Sequence, residues 1–288
     1  MTGPYPGGDD PAGRDDPAGG DVPPGALALA LDLAGWAVDR LRPRSPGPDP
    51  DAVVTTKAHG ADLLTADDTA VEDHVRAAIR AAFPGHRIVG EEAGGTGPVD
   101  ADCTWWVDPV DGTTNHANRL PWASFSLALT VNGHPVLGVV ADPYRGEVFA
   151  AAADTPVTVG DRRVHCSPTA TLAGTVVLTE WAAHLPWPGM DRFLAGIAAA
   201  SGTSRVMGSS ALSLASVAAG RAAAAVIGSW SPVDDLAGAY LASRSGAVVI
   251  TCDGSLTPPT GGIAVAVPGV ADAVRALLPW WAAHPTTR

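Results

Sequence analysis

Trp105-Trp106-Val107-Asp108-Pro109-Val110-Asp111-Gly112-Thr113-Thr114-Asn115 is the stretch on which the reading of this chain turns. The aromatic and β-branched run from Thr104 to Val107 predicts a short buried strand that stops at Pro109, because proline cannot donate to a sheet ladder. The carboxylates of Asp108 and Asp111 are thereby expected at a strand end, flanking a proline turn. Gly112 then frees the backbone, so that Thr113, Thr114 and Asn115 offer hydroxyl and amide groups to one small volume. Such a turn suits a hard cation on one side and a phosphate on the other. A single Asp-Pro or Asp-Gly would mark only a tight turn; the whole string says more.

Upstream, Arg87 to Val89 reads as a strand that delivers Gly90-Glu91-Glu92 to its end. Before it, Thr65 to Phe83 has helical spacing, with Val71, Val75, Ala78, Ile79 and Ala82 on one face, Glu72 and Arg76 spaced to pair, and Pro84-Gly85 as the stop. Asp67 and Asp68 stand at its start, where an acidic residue caps a helix. A first helix spans Gly25 to Leu41, and a Pro-rich linker, Arg42 to Pro50, leads to an extended Val53 to Lys57 and a polar turn at His59-Gly60-Ala61-Asp62.

Downstream, Ser124 to Val131, Val136 to Ala141 and Glu147 to Ala152 form an antiparallel meander, and Val157 to Val164 adds a polar hairpin. The second half alternates. Strands are expected at Thr175–Thr179, Ala223–Ile227, Ala247–Thr251 and Ile263–Val267, and an extended Ser204 to Met207 enters Gly208-Ser209-Ser210. Helices are expected at Met190–Ala200, Ala211–Ala219, Asp234–Ser243 and Val270–Trp281. Helices on an antiparallel sheet, followed by strand-helix alternation, indicate an α+β first half and an α/β second half.

Composition bounds the rest. The chain has 288 residues, 46% hydrophobic and only 6% aromatic, so its core is built mainly from Ala, Val and Leu. Net charge is −12, with 18 basic against 30 acidic residues, which disfavours a nucleic-acid duplex or an anionic membrane as partner. An acidic protein can still bind a phosphate ester through cations held on its carboxylates. Residues 1–24, with five aspartates, one arginine and little to bury, read as a disordered tail without a secretory pattern. No uninterrupted apolar run of some 18 residues suggests a membrane span. Cys103, Cys166 and Cys252 have no metal-type spacing and fit reduced thiols of a cytoplasmic protein.

The central string resembles the signature of the inositol monophosphatase family, magnesium-dependent and lithium-sensitive phosphatases whose motif reads Asp-Pro-(Ile/Val)-Asp-Gly-Thr-Thr-Asn. Gly90-Glu91-Glu92 and Asp235-Leu236-Ala237-Gly238-Ala239 stand in order at compatible places, and the similarity runs from about Val53 to about Val267. The resemblance implies a layered αβαβα sandwich, with an N-terminal half over residues 25–165 and a C-terminal half over 166–288 that completes the site. It also implies two or three Mg²⁺ ions per site. Glu91, Asp108 and the Val110 carbonyl would hold the first; Asp108, Asp111 and Asp235 would share a second; Glu91 and Asp68 would reach a third through water. Hard oxygen donors fit Mg²⁺, and something must offset the repulsion of clustered carboxylates, about 3 kcal/mol per pair at roughly 5 Å and an effective dielectric near 20.

On that resemblance, Thr113 positions the attacking water through Asp68, and Glu91 helps activate it. The amides of Gly112 and Thr113 cradle the phosphoryl group, and Ser209, Ser210 and Asp235 contact substrate. Lys57 falls on a family lysine near the site. The implied activity is hydrolysis of a small phosphate ester (inositol phosphate-like, sugar or related metabolite) by a homodimer. Histidinol phosphate and a 3′-phosphoadenosine nucleotide are alternative substrates, and an inactive metal-binding interaction protein is the alternative of another class. The chain departs from the family in three places. Asp234 stands where a tryptophan usually precedes the helix aspartate, which leaves Asp234 as a second candidate ligand. His116 replaces an apolar aromatic and is read mainly as a buried polar side chain. Gly228 stands seven residues before Asp235, where inositol-processing members carry a glutamate that binds ring hydroxyls.

Overall fold

The computed structural model describes residues 20–43, 54–56, 60, 63–181 and 185–279. Most of the acidic tail and of the Pro-rich linker, Lys57, most of the polar turn at 59–62 and the end of the terminal helix lie outside the described residues. In chain order the first half comprises α1 (Ala26–Leu41), β1 (Val54–Thr56), β2 (Leu63–Thr65), α2 (Ala66–Ala82), β3 (Arg87–Gly90), β4 (Gly94–Thr96), β5 (Cys103–Asp111) and α3 (Thr113–Ala117). It continues through β6 (Ser124–Val131), β7 (His134–Asp142), β8 (Glu147–Ala152), β9 (Thr158–Val159) and β10 (Arg162–Arg163). The second half comprises β11 (Val176–Thr179), α4 (Met190–Ala199), β12 (Thr203–Val206), α5 (Ser210–Ala218), β13 (Ala224–Ile227), α6 (Pro232–Arg244), β14 (Val248–Ile250), β15 (Ile263–Ala266) and α7 (Ala271–Ala276).

Burial along β6 shows why the strands stack as they do. Every residue from Ser124 to Val131 is buried, so this strand is covered on both faces. It lies inside an eight-stranded sheet of order β10-β9-β8-β7-β6-β5-β3-β4, antiparallel except where β3 runs parallel to β5. On one face Phe125, Leu127 and Leu129 meet the apolar sides of α1 and α2, through Leu33, Val38, Val71, Val75 and Ile79. On the other, Ala128, Val140, Phe149 and Ala151 join a core shared with α5, α6 and a second, five-stranded sheet of order β12-β11-β13-β15-β14. Phe193 and Ile197 of α4 and Val274 of α7 also belong to that core, and these helices contact β12, β14 and β15. The result is the five-layer αβαβα sandwich implied by the resemblance.

The middle helix layer depends on small residues. A Cβ on Gly238 of α6 would lie 2.7 Å from the Ala211 carbonyl and from Leu214 of α5, and one on Gly138 of β7 would lie 2.9 Å from the Ala237 carbonyl. α6 can therefore press against α5 and the large sheet at once, which brings both helix N-termini to the end of β5.

Three boundaries depart from the sequence reading. β5 does not stop at Pro109 but runs to Asp111. Its pairing with β6 passes from Asp108↔Ser126 to Asp111↔Ser124, three steps on one strand against two on the other, so Pro109 sits in a bulge where no ladder donor is required. α6 begins at Pro232, because Ser231 takes the cap position and proline fits the first helical turn. The terminal helix is split, a 3₁₀ turn at Pro268–Val270 preceding α7.

Because the α5–α6 approach leaves no room for a side chain, Gly238→Val should cost about 1–3 kcal/mol of stability. Urea unfolding would show a lower midpoint at unchanged slope; an unchanged midpoint would contradict the packing.

Candidate active site

The bulge in β5 and the left-handed Gly112 (φ +92°) turn the chain sharply into α3. A Cβ at Gly112 would lie 2.6 Å from the Gly208 carbonyl, so only glycine allows the turn and the 207–210 loop to touch. Asn115 closes the same junction, its Nδ2 donating to the carbonyls of Met207 (2.6 Å) and Trp122 (2.7 Å).

Asp111 is held mainly from the second half of the chain. Its Oδ2 accepts from Ser209 Oγ (2.5 Å), the Ala211 amide (2.8 Å) and Ser124 Oγ (3.3 Å), and its Oδ1 from the Ser210 amide (3.2 Å). A carboxylate at the start of α5 also gains from the helix dipole. Burial nevertheless outweighs those bonds and raises its pKa to about 6.

Asp108 accepts from the Val110 amide (2.9 Å). Burial, then the charges of Glu91, Asp111 and Asp234, push its carboxyl well above the usual range, and it shares a hydrogen bond with Glu91. Among the described residues no three such side chains form a ready-made metal cage. Their chemistry nonetheless fits a hard divalent cation: the donors are all oxygen, and each carboxylate raises the cost of ionising the next.

Glu91 is carried on a braced loop. Glu72, buried on α2, accepts from the amides of Glu92 (2.9 Å) and Ala93 (3.0 Å) and pairs with Arg76 (2.7 Å). Arg76 in turn donates to the Gly94 carbonyl and to Thr96 Oγ1. The spacing of Glu72 and Arg76 had suggested an ordinary helix pair. No local signal showed that it would be buried and would grip the loop after β3.

Asp68 combines two tasks. Its Oδ2 accepts from the amide and hydroxyl of Thr65, which completes a capping box at the start of α2. Its Oδ1 lies 3.1 Å from Thr113 Oγ1, which also reaches the Val110 carbonyl at 2.9 Å. His116 is buried and hydrogen-bonded to Asp67 (3.0 Å), itself paired with Arg40 of α1 (2.8 Å), so it anchors α3.

The neighbouring aspartates of α6 are set apart. Asp235 is buried with both oxygens engaged, Oδ1 by Ser210 Oγ (2.6 Å) and Oδ2 by the Ser231 amide (2.8 Å). Burial raises its pKa to about 7, against the pull of those two bonds. Asp234 keeps some solvent contact and lies in the field of Glu91 and Asp111 as well as Asp235; burial followed by these charges raises its carboxyl well above the usual range. The charge of Asp234 is among those that raise Asp108, while Asp235 is raised in part by the charge of Asp111. The tie from Asp235 to Ser210 was not visible in the sequence, because it joins two helix N-termini 25 residues apart. The position of Gly228 is also explained: a Cβ there would lie 2.2 Å from the ring of Trp187, which is buried against Phe193.

Fold and site together define a phosphatase-type architecture, in which acidic residues and a glycine turn meet between two sheets. The sequence profile of the inositol monophosphatase family matches residues 26–279, and the chain belongs to that family. It is 33% identical over 234 residues to Nus factor SuhB of Salmonella typhimurium, covering 79% of this chain and 86% of that protein. It is similar to the solved inositol monophosphatase of Anabaena (Nostoc) sp., with 30% identity, TM-score 0.70, and coverage of 89% of this chain and 97% of the other. A solved IMPase/NADP phosphatase complexed with Mg²⁺ and phosphate shares the fold at 20% identity, with TM-score 0.74 and coverage of 88% and 93%. Among the described residues no helix is long and apolar enough to cross a membrane.

Raised carboxyl pKa values mean that the folded protein keeps protons the unfolded chain has released. Stability of the metal-free protein therefore falls as pH rises from the ordinary aspartate value of 3.8 through about 6 for Asp111. In chelator, Tm should drop between about pH 4 and about pH 7, the interval from the ordinary aspartate value to the raised values of Asp111 and Asp235, and saturating Mg²⁺ should remove most of that drop by stabilising the ionised form. A metal-free Tm that rises over this interval would contradict the crowded-carboxylate reading.

Proposed function

We propose that the protein is a Mg²⁺-dependent phosphomonoesterase acting on a small metabolite phosphate. The observation that carries this reading is that Glu91, Asp111 and Asp234, from three different elements, each raise the cost of ionising Asp108. Glu91, Asp108, Asp111 and the Val110 carbonyl would hold the cations. Asp234 would supply the carboxylate from α6 in place of Asp235, because its charge bears on Asp108 while Asp235 is turned toward Ser210 and Ser231. Bound Mg²⁺ would lower the pKa of a water molecule and offset the charge of the phosphoryl oxygens. Thr113, held by Asp68, would orient that water, and Glu91 would accept its proton. The amides of Gly112 and Thr113 would hold the phosphoryl group. Asp235 and the Ser209 and Ser210 side chains would shape the site by holding it together rather than by touching substrate.

A second reading, as an interaction protein, draws on relatives that carry the name Nus factor. Phosphate release separates the two. Activity should require Mg²⁺ and vanish in chelator, with Ca²⁺ inhibiting because it prefers more ligands and longer bonds. Asp234→Asn should abolish turnover, and Asp235→Asn should lower it while retaining measurable activity. The reverse order would return the ligand role to Asp235, and no activity with any phosphate ester would favour the interaction protein.

Substrate choice follows from the strand and loop that precede α6. Seven residues before Asp234 stands Ile227, and seven before Asp235 stands Gly228, where a Cβ would meet the ring of Trp187, so neither position carries a polar side chain for a ring hydroxyl. A site lacking such polar groups discriminates weakly in favour of polyols. We expect modest kcat/KM on inositol 1-phosphate and higher values on a bulkier or planar ester, measured across inositol phosphates, histidinol phosphate, sugar phosphates and nucleotides. Gly228→Glu should lower stability without creating an inositol preference. An inositol preference of about a hundredfold in the wild type would overturn this reading.

A further inference from the structure

Glu180, directly after β11, is a buried acid with no part in the chemistry above. Its Oε2 accepts from the Gly208 amide (2.6 Å) and its Oε1 from Ser213 Oγ (2.7 Å). Gly208 lies in the segment whose next residues grip Asp111 through Ser209 Oγ and the amides of Ser210 and Ala211. The segment is thus held on one side by Glu180 and on the other by Asn115, which ties down Met207. Asp111 is thus tied to Glu180 by hydrogen bonds through this segment, and its charge also bears on Glu180.

We propose that Glu180 is a positioning residue, which sets the 207–211 segment and through it the orientation of Asp111. This inference rests on the metal reading given above. Burial raises the carboxyl of Glu180 to about 8, so near neutral pH it is largely protonated and adds little charge to a site already crowded with carboxylates. In that form one oxygen accepts from Gly208, while the hydroxyl group faces Ser213, whose own hydroxyl can accept as well as donate. A glutamine has the same shape and the same pair of capabilities, whereas an alanine has neither.

The test compares Glu180→Gln and Glu180→Ala in the full chain. Calorimetric titration with Mg²⁺ reads cation affinity, hydrogen exchange over residues 207–211 reads the segment, and steady-state kinetics separate kcat from KM. Glu180→Ala should weaken Mg²⁺ binding by about tenfold or more, as loss of an outer support typically does, and should lower kcat more than it raises KM. It should also speed exchange at 207–211. Glu180→Gln should restore most of all three. If Glu180→Ala lowers Tm but the folded protein binds Mg²⁺ as the wild type does, the residue only supports the fold and the proposal is overturned. The proposal is equally overturned if glutamine fares no better than alanine. Should the wild type bind no Mg²⁺ at all, the phosphatase reading fails, and hydrogen exchange alone then decides whether Glu180 holds the segment. Should alanine prevent folding, Ser213→Ala, which removes one contact of Glu180, should give a smaller change in the same direction; wild-type exchange and affinity in that variant would overturn the proposal.

Discussion

Like charges gathered in a low-dielectric place repel, and this chain brings at least Glu91, Asp108, Asp111 and Asp234 together. Nothing in a single helix or strand would hold them there. Asp111 stays because α5 points its first amides at it and two serine hydroxyls join them. Glu91 stays because a buried Glu72–Arg76 pair grips the loop that follows it. Each support comes from an element distant in sequence, so the site exists only when the layers have packed. Burial raises the pKa of Asp111 despite its hydrogen bonds, and burial with neighbouring charges raises that of Asp108, a cost that a bound cation would offset.

Close approach is the other condition. Gly112 touches the 207–210 loop, Gly138 lets α6 down onto the large sheet, and Gly238 lets α6 meet α5. These contacts place two helix N-termini against the end of one bulged strand, where backbone amides and acidic side chains face each other. The same economy of space holds before α6, where a side chain at Gly228 would meet the buried ring of Trp187.

Much was legible in the sequence because it depended on local properties. Helical spacing marked α1, α2, α4 and α5 to within a residue or two, and alternating apolar runs with Asn132-Gly133 marked the β6–β7 hairpin. The central string announced a carboxylate turn through residue type and spacing alone. Pro109 misled the reading of β5, since a proline ends a strand in general but is accommodated where an extra residue breaks the ladder.

What tertiary structure decided was direction. From the chain alone Asp234 and Asp235 are adjacent carboxylates at a helix start, and residue type cannot separate them. About 100° of rotation around α6 does, since it turns Asp235 onto Ser210 and leaves Asp234 facing Glu91 and Asp111. That rotation is set by Gly138 and Gly238 against the neighbouring layers. In the same way, Glu72 and Arg76 were visible as a pair, but their burial and their hold on the Glu91 loop were not. The sequence determined which chemical groups were present and roughly which elements carried them, because these follow from short-range periodicity. Which groups meet was decided by packing between elements far apart in the chain, as in the bond from the Ala211 amide to Asp111 across 100 residues, and no local pattern encodes that.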